Sequence, residues 1–367
     1  MKIVKINDNS GKLYYVGGIV RDEILGVENL DVDLIYEGNA IEWAMDSGLC
    51  IKQTNEPFGT VRVNIDGIDV DIASTRKEIY PKAGHLPVVT DIGCPLFEDV
   101  KRRDFTINSL YKSVKTGEII DFTGGLDDLK NKKLKILHKN SFVEDPTRIL
   151  RMLKFRMRFG FEPDEMTLNL QREYLQNVNY DMSLKRIEKE FSELFEYGGK
   201  SILSKSDTFK ILVGENIYKL ITNTKPKISE IDFELSQKSD EWIIWGGLLN
   251  DINKLPLNKF EQKVINDFEL LKNSKNLSLD IEIYKIFKDC FAETVILYGM
   301  TVNKEIAKRY LEYLKDIKPE ITGHDLIKLG IKPSKNFEKI FEKVLEEKFK
   351  KPSLTKTEEI ELVKSYI

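Results

Sequence analysis

Hydrophobic positions along this chain change their period once. Up to about residue 139 they come in short β-like runs, Leu13 to Val16, Thr60 to Ile65, Ile68 to Ala73 and Glu118 to Asp121, interleaved with helical stretches such as Ala40 to Gly48. Beyond residue 144 they follow helical spacing in long segments rich in Lys, Glu, Leu, Ile and Phe, with few strand signals. The pattern predicts an α+β head over 1–139 followed by helical modules: a neck over 140–205, a body over 206–318 and a tail over 319–367. Gly198-Gly199, Asn223 to Lys227 and Lys318-Pro319 are the candidate linkers. The Gly- and Pro-rich stretch between Asp71 and Arg102 reads as a connection without regular structure, either disordered or functional. In the closing helix Phe337, Ile340, Phe341, Val344 and Leu345 form one stripe, which predicts core.

Composition changes this picture little. The 367 residues are too many for one small core, and the 41% apolar content is ordinary for a folded protein. A net charge of −3 announces no nucleic-acid partner, so any RNA site has to come from local clusters. Three scattered cysteines and three histidines argue against a structural zinc site and for reduced thiols. No signal-like stretch opens the chain, and the apolar run near Trp242 to Leu249 is too short to cross a bilayer, so a cytoplasmic location is expected.

The candidate chemistry begins at Gly17-Gly18-Ile19-Val20-Arg21-Asp22, followed by Leu25-Gly26 and then Asp31-Val32-Asp33. A glycine pair between strand and helix lets backbone N–H groups approach a triphosphate, with Arg21 as a guanidinium partner; the default for a single arginine is instead an ion pair with an acid on its own helix. Asp31 and Asp33, two apart on a predicted strand, leave the same face with roughly 7 Å between Cα atoms, a span that suits two Mg²⁺ ions. Together these features propose nucleotidyl transfer. Asp71 reads as a third carboxylate, a strand-edge residue or an arginine's partner. Arg102-Arg103-Asp104 precedes an apolar segment, where Asp104 is a candidate helix cap with Thr106 and Asn108 facing solvent. From Glu144 to Phe159 a helix is predicted, with Ile149, Met152 and Leu153 inward and Asp145, Arg148 and Arg151 sharing the opposite face. Aspartate accepts and arginine donates, an order that complements the Watson–Crick edges of cytosine and adenine; the alternative is an acid at a helix N-terminus in a surface ion pair.

These motifs resemble those of the class II tRNA nucleotidyltransferases, the CCA-adding enzymes and their bacterial poly(A) polymerase relatives. Asp71 to Arg76, Arg102 to Ser109, Asp121-Phe122 with Gly124-Gly125 and Asp128-Leu129, and Glu144 to Arg148 with Arg151 match in order; the likeness loosens around Thr322 to Leu326. The resemblance implies a nucleotidyltransferase-type mixed-sheet head, two Mg²⁺ ions on Asp31 and Asp33, and CTP and ATP as substrates. It also implies nucleotide contacts from Gly17, Gly18, Arg21, Arg102, Arg103, Asp104, Asp145, Arg148 and Arg151. Lys154 stands where the family commonly has a further arginine, keeping the charge without the planar fork. Related enzymes carry a flexible loop after the Asp71 strand that takes part in adenosine addition, and this chain is not shortened there. The implied partner is the 3′ end of tRNA, with Arg156, Arg158, Lys185 and Arg186 as candidate RNA contacts and Lys328, Lys332 and Lys335 as tail additions. The expected activity is addition of CMP and AMP, with A-only addition as the nearest alternative. A poly(A) polymerase fits less well, for want of a long basic extension. A noncatalytic RNA-binding protein and a small-molecule nucleotidyltransferase are the other readings.

Overall fold

The computed structural model describes residues 6, 8, 10–28, 32–65, 67–274, 277–333 and 336–366. They form two compact units, one of residues up to 194 with 199–223, the other of 195–198 with 224–367.

In the first unit β1 (Leu13–Val16) is buried along its whole length, as an inner strand must be. It feeds α1 (Gly18–Leu25), which stops where Gly26 turns left-handed. β2 (Asp33–Tyr36), α2 (Ala40–Asp46, capped by the Asn39 side chain), β3 (Cys50–Asn55), β4 (Thr60–Ile65) and β5 (Ile68–Ser74) follow. Next come β6 (Arg76–Ile79), β7 (Val88–Ile92) and the short helix α3 (Leu96–Asp99). β8 (Leu110–Ser113) and β9 (Ile119–Asp121) complete a seven-stranded sheet in the order β3-β4-β5-β2-β1-β8-β9. The sheet is mixed, as expected. Its parallel pair is β2 with β5, and that register sets Asp33 opposite Asp71 and Leu34 opposite Ile72. Alternation along β4 and β5 sends Val61, Val63, Val70 and Ile72 into the core and turns Arg62 and Asp71 outward.

Helices then take over: α4 (Gly125–Lys130), α5 (Ser141–Glu144), α6 (Thr147–Phe159), α7 (Glu165–Gln176), α8 (Leu184–Phe195, its last residue counted with the other unit) and α9 (Lys205–Gly214). Two expectations change, for the stretch between Asp71 and Arg102 and for Asp145. The stretch between Asp71 and Arg102 is structured: β6 and β7 pair as an antiparallel ribbon that satisfies their backbone groups, although most of their side chains stay near water and leave no apolar alternation to read. β3, largely polar and exposed, is held by its ladder with β4. Asp145 is not on the long helix. It precedes Pro146, which disfavours helical backbone in the residue before it, and Asp145 is extended (φ −141°, ψ 90°) at the end of α5.

The second unit is helical. Ala292–Thr301 runs through its middle with Thr294 to Met300 all buried, and Trp242 and Trp245 are buried beside Ile243 and Ile244. Asn336–Lys350 and Lys356–Lys364 bury Val344 and Val363 with Ile321 and Leu326, and Phe337, Ile340 and Phe341 add to that cluster. None of the described helices is long and apolar enough to cross a membrane.

Candidate functional site

Where β1 ends, the chain turns on Gly17 (φ 70°, ψ −124°), a conformation that side-chain-bearing residues rarely adopt. The Gly17 N–H donates to the Leu110 carbonyl (3.3 Å) and its carbonyl accepts from the Arg21 N–H (3.1 Å), so the turn is pinned to sheet and helix alike. It opens on a cavity of about 890 Å³ in the first unit. Ten cationic side chains line that cavity against six carboxylates, in a chain whose net charge is −3. Local excess of this kind draws a polyanion into a cleft.

Gly17, Gly18, Arg21, Asp33, Asp71, Arg102, Arg103, Asp104, Asp145, Arg148, Arg151 and Lys154 all border the cavity. Asp31 lies outside the described residues. Asp33 and Asp71 are exposed at one side, and Arg62 donates Nε and Nη2 to the two oxygens of Asp71 (2.7 Å each), so Asp71 has the arginine partner that was one of its readings. Among the described residues no group of three or more His, Cys, Asp and Glu is placed to hold a metal ion.

A buried carboxylate organises the arginine pair. Asp99 accepts from Arg102 Nε (2.9 Å), Arg103 Nη2 (3.0 Å), the Tyr111 hydroxyl (3.0 Å) and the Arg76 N–H (3.1 Å). Burial alone would raise its pKa; the charges of Arg103 and Arg102 outweigh burial and hold it below the usual carboxylate range. Asp104 is treated alike by Arg151, whose Nε and Nη2 donate to it at 2.9 and 2.7 Å. Burial pushes the Asp104 carboxyl up, Arg151 and the Asn108 amide pull it down further, and it settles at about 2. Thr106 and Asn108 do not face solvent. They are buried, Thr106 donating to Asp128 and Asn108 bonded to Asp104 and Arg21.

For Arg21 the structure gives the internal alternative. Its side chain is 4% exposed, bonds Asp22 (2.7 Å) and Asn108 (2.5 Å), and lies against the rings of Phe155 and Phe159. These partners fix the guanidinium in the cavity wall, which Arg21 borders. Asp145 differs too: its ion-pair partner is not Arg148 but Arg186, at 2.5 Å. Arg148 instead donates to Ser141 Oγ (2.6 Å) and the Arg102 carbonyl (2.9 Å), which joins the second arginine cluster to the first. Lys154 pairs with Glu190 (3.0 Å) and Glu193 (2.7 Å).

The proposed RNA contacts scatter. Arg156 is 7% exposed and bonds Glu215 and Glu162, so a buried arginine paired within the chain stands where an RNA-facing cation was expected. Arg158 and Arg186 line the cavity. Lys185, Lys328 and Lys332 are exposed, and Lys335 lies outside the described residues. Arg62, Arg76, Glu78, Tyr80 and Glu190 also line the cavity and were not singled out as site residues. Glu190 had a signal, being one helical turn beyond Arg186 on α8.

Residues 13–135 match the model of the poly(A) polymerase head domain. The A-adding tRNA nucleotidyltransferase of Halalkalibacterium halodurans is 31% identical over 351 residues, covering 89% of this chain and 82% of that one. The chain belongs to the tRNA nucleotidyltransferase family. Other tRNA nucleotidyltransferases agree: the A-adding enzyme of Aquifex aeolicus is 31% identical over 90% of this chain, which spans only 44% of that protein's length. The CCA-adding enzyme of Lactobacillus delbrueckii is 28% identical over 93% of this chain and 90% of its own. Among solved structures, the Thermotoga maritima CCA-adding enzyme complexed with tRNA superposes with a TM-score of 0.76 at 26% identity, covering 97% and 91% of the two chains. A CCA-adding enzyme complexed with ATP gives 0.78 at 25% identity over 97% and 90%, and one complexed with CTP gives 0.76 at 26% over 97% and 91%.

Proposed function

We propose that this tRNA nucleotidyltransferase adds CMP and AMP to the 3′ end of tRNA without a nucleic-acid template, from CTP and ATP. The RNA 3′-hydroxyl oxygen attacks the α-phosphorus and pyrophosphate leaves. The observation that carries the reading is the cation-rich cavity beneath the Gly17-Gly18 turn, which also holds Asp145 and Arg148. Gly17, Gly18, Arg102, Arg103 and Arg151 face the triphosphate and sugar, with the Asp104 carboxylate fixing Arg151. Asp145 accepts from the amino group of cytosine or adenine while Arg148 donates to the neighbouring ring nitrogen; uracil and guanine present the reverse order and are refused. Asp33 offers hard oxygen donors at the cavity edge, which suit Mg²⁺, and it would hold that ion together with Asp31. Bound there, magnesium neutralises phosphate charge. On this reading residues 1–139 are the catalytic head, 140–205 the neck carrying the base-reading residues, and 206–318 and 319–367 a body and tail for tRNA, in a cytoplasmic enzyme. Exposed Lys185 is a candidate backbone contact.

A-only addition is the second reading, favoured by the 31% identity to an A-adding relative against 28% to a CCA-adding one. Transcripts lacking the whole CCA end, its last two nucleotides or its last one, offered CTP or ATP singly, separate the two. CCA addition extends all three with the fitting nucleotide; A-only addition extends just the last.

A further inference from the structure

We propose that Arg186 is a positioning residue for base selection, holding the Asp145 carboxylate in the orientation that meets an incoming cytosine or adenine. The inference deepens the proposed reading of Asp145 and rests on it. A carboxylate has about four acceptor sites. In Asp145, Oδ1 takes the Thr147 N–H (3.1 Å) and Thr147 Oγ1 (2.6 Å), and Oδ2 takes Arg186 Nη2 (2.5 Å). That satisfies three sites and leaves about one, on a residue that borders the cavity together with Thr147 and Arg186. One remaining acceptor in a fixed place is what reading a single amino group requires.

Arg186 is itself anchored, so it can transmit that constraint. Its Nη1 donates to the His85 carbonyl (3.3 Å), at the tip of the ribbon formed by β6 and β7. The same tip is stitched on both sides: the Gly84 N–H donates to the Glu144 carbonyl and the Gly84 carbonyl accepts from the Ser183 N–H, each at 3.0 Å. Gly84 has φ +75°, and a Cβ there would come within 2.6 Å of Met182 Cβ, so the tip approaches closely enough to demand glycine. Residue 84 therefore ties the backbone beside Asp145 to the segment that carries Arg186. Without the guanidinium, Oδ2 regains its lone pairs, and the carboxylate can turn to accept from the ring N–H of uracil or guanine. Discrimination falls even though the acceptor remains.

The test compares kcat/KM for CTP, ATP, UTP and GTP in single-nucleotide incorporation on a tRNA transcript lacking its CCA end and on one ending in CC. Arg186→Ala is expected to raise UTP and GTP use relative to CTP and ATP about tenfold, the factor one charge-assisted hydrogen bond carries. Arg186→Lys, which keeps one donor, restores part of the difference. If Arg186→Ala lowers all four values by one factor, or leaves every ratio unchanged, the residue is merely structural and the inference fails. Should that variant not fold, Arg186→Gln decides by the same ratios. A wild-type protein that incorporates neither CMP nor AMP overturns the proposed function, and this inference with it.

Discussion

Lys348, in the C-terminal unit, is 7% exposed and meets Glu359 (2.7 Å), Glu320 (2.9 Å) and the Leu354 carbonyl (3.0 Å); Glu359, fully buried, also accepts from the N–H groups of Glu320 and Ile321. In the first unit ten cations share an open cavity with six carboxylates. Around Lys348 one buried ammonium meets two carboxylates of its own chain, whereas the cavity is open and left in cationic excess. A cluster with its partners within the chain is needed whole, because removing one partner leaves a buried charge uncompensated. An open one with surplus charge is completed by something that comes from outside, and that difference distinguishes a fold-holding network from a binding site.

Substitutions at the two places should separate along this line. Asp33→Asn is expected to lower nucleotide incorporation about 10³-fold while shifting unfolding free energy by no more than about 0.5 kcal/mol, because the side chain is exposed and serves the cavity. Incorporation kinetics and urea unfolding on the same preparation check both halves. Lys348→Met should do the opposite. It strands the buried Glu359 carboxylate and costs about 3 kcal/mol, read as lost hydrogen-exchange protection in Lys356–Lys364, while CTP affinity stays within about twofold because the variant touches no cavity residue. Equal effects of both variants on both readouts would erase the distinction drawn here.

Acid sharpens it further. Asp104 has its folded pKa lowered to about 2, so its pairing with Arg151 contributes stability above its unfolded value near pH 4 and loses it as pH falls toward 2. Wild type minus Asp104→Asn, measured by denaturant unfolding of the first unit, should therefore be about 2 kcal/mol at pH 5 and shrink toward zero at about pH 2. A difference that does not change with pH would mean that the pair contributes by shape alone.

Sequence reasoning reached the parts of this architecture that are set locally. The turn at Gly17, the strand from Leu13 and the inward stripe of Ile149, Met152 and Leu153 each follow from backbone or periodic rules, and each is present. The polar edges were illegible: β3 and the ribbon of β6 and β7 are held by ladders, not by an apolar face. Partner choice was illegible for another reason. Arg21, Arg156 and Arg158 look alike in a sequence, yet Arg21 and Arg158 line the cavity against the Phe159 ring while Arg156 is closed by Glu162 and Glu215. Which acid meets which arginine is decided across separations such as 41 residues for Asp145 with Arg186 and 47 for Asp104 with Arg151. Helical spacing, which made Arg148 the natural mate of Asp145, carries no information about such pairs, and proline at 146 had already removed Asp145 from the helix.

The smallest expected effect tests whether support beneath the cavity is separable from selection within it. Asp99 lies outside the cavity lining but donors from Arg102, Arg103 and Tyr111 converge on its carboxylate. Asp99→Asn keeps the shape, removes the charge and loosens both guanidinia at once. If those arginines bind the triphosphate common to all nucleotides, KM for CTP and for ATP should rise together, about tenfold, with kcat changed less. The preference for CTP and ATP over UTP and GTP should stay where it was, since Asp145 and Arg186 are untouched. Steady-state kinetics with each nucleotide in turn measures this. A change in preference would mean that the arginine pair and the Asp145 carboxylate act as one network, coupled through the Arg102 carbonyl that Arg148 holds.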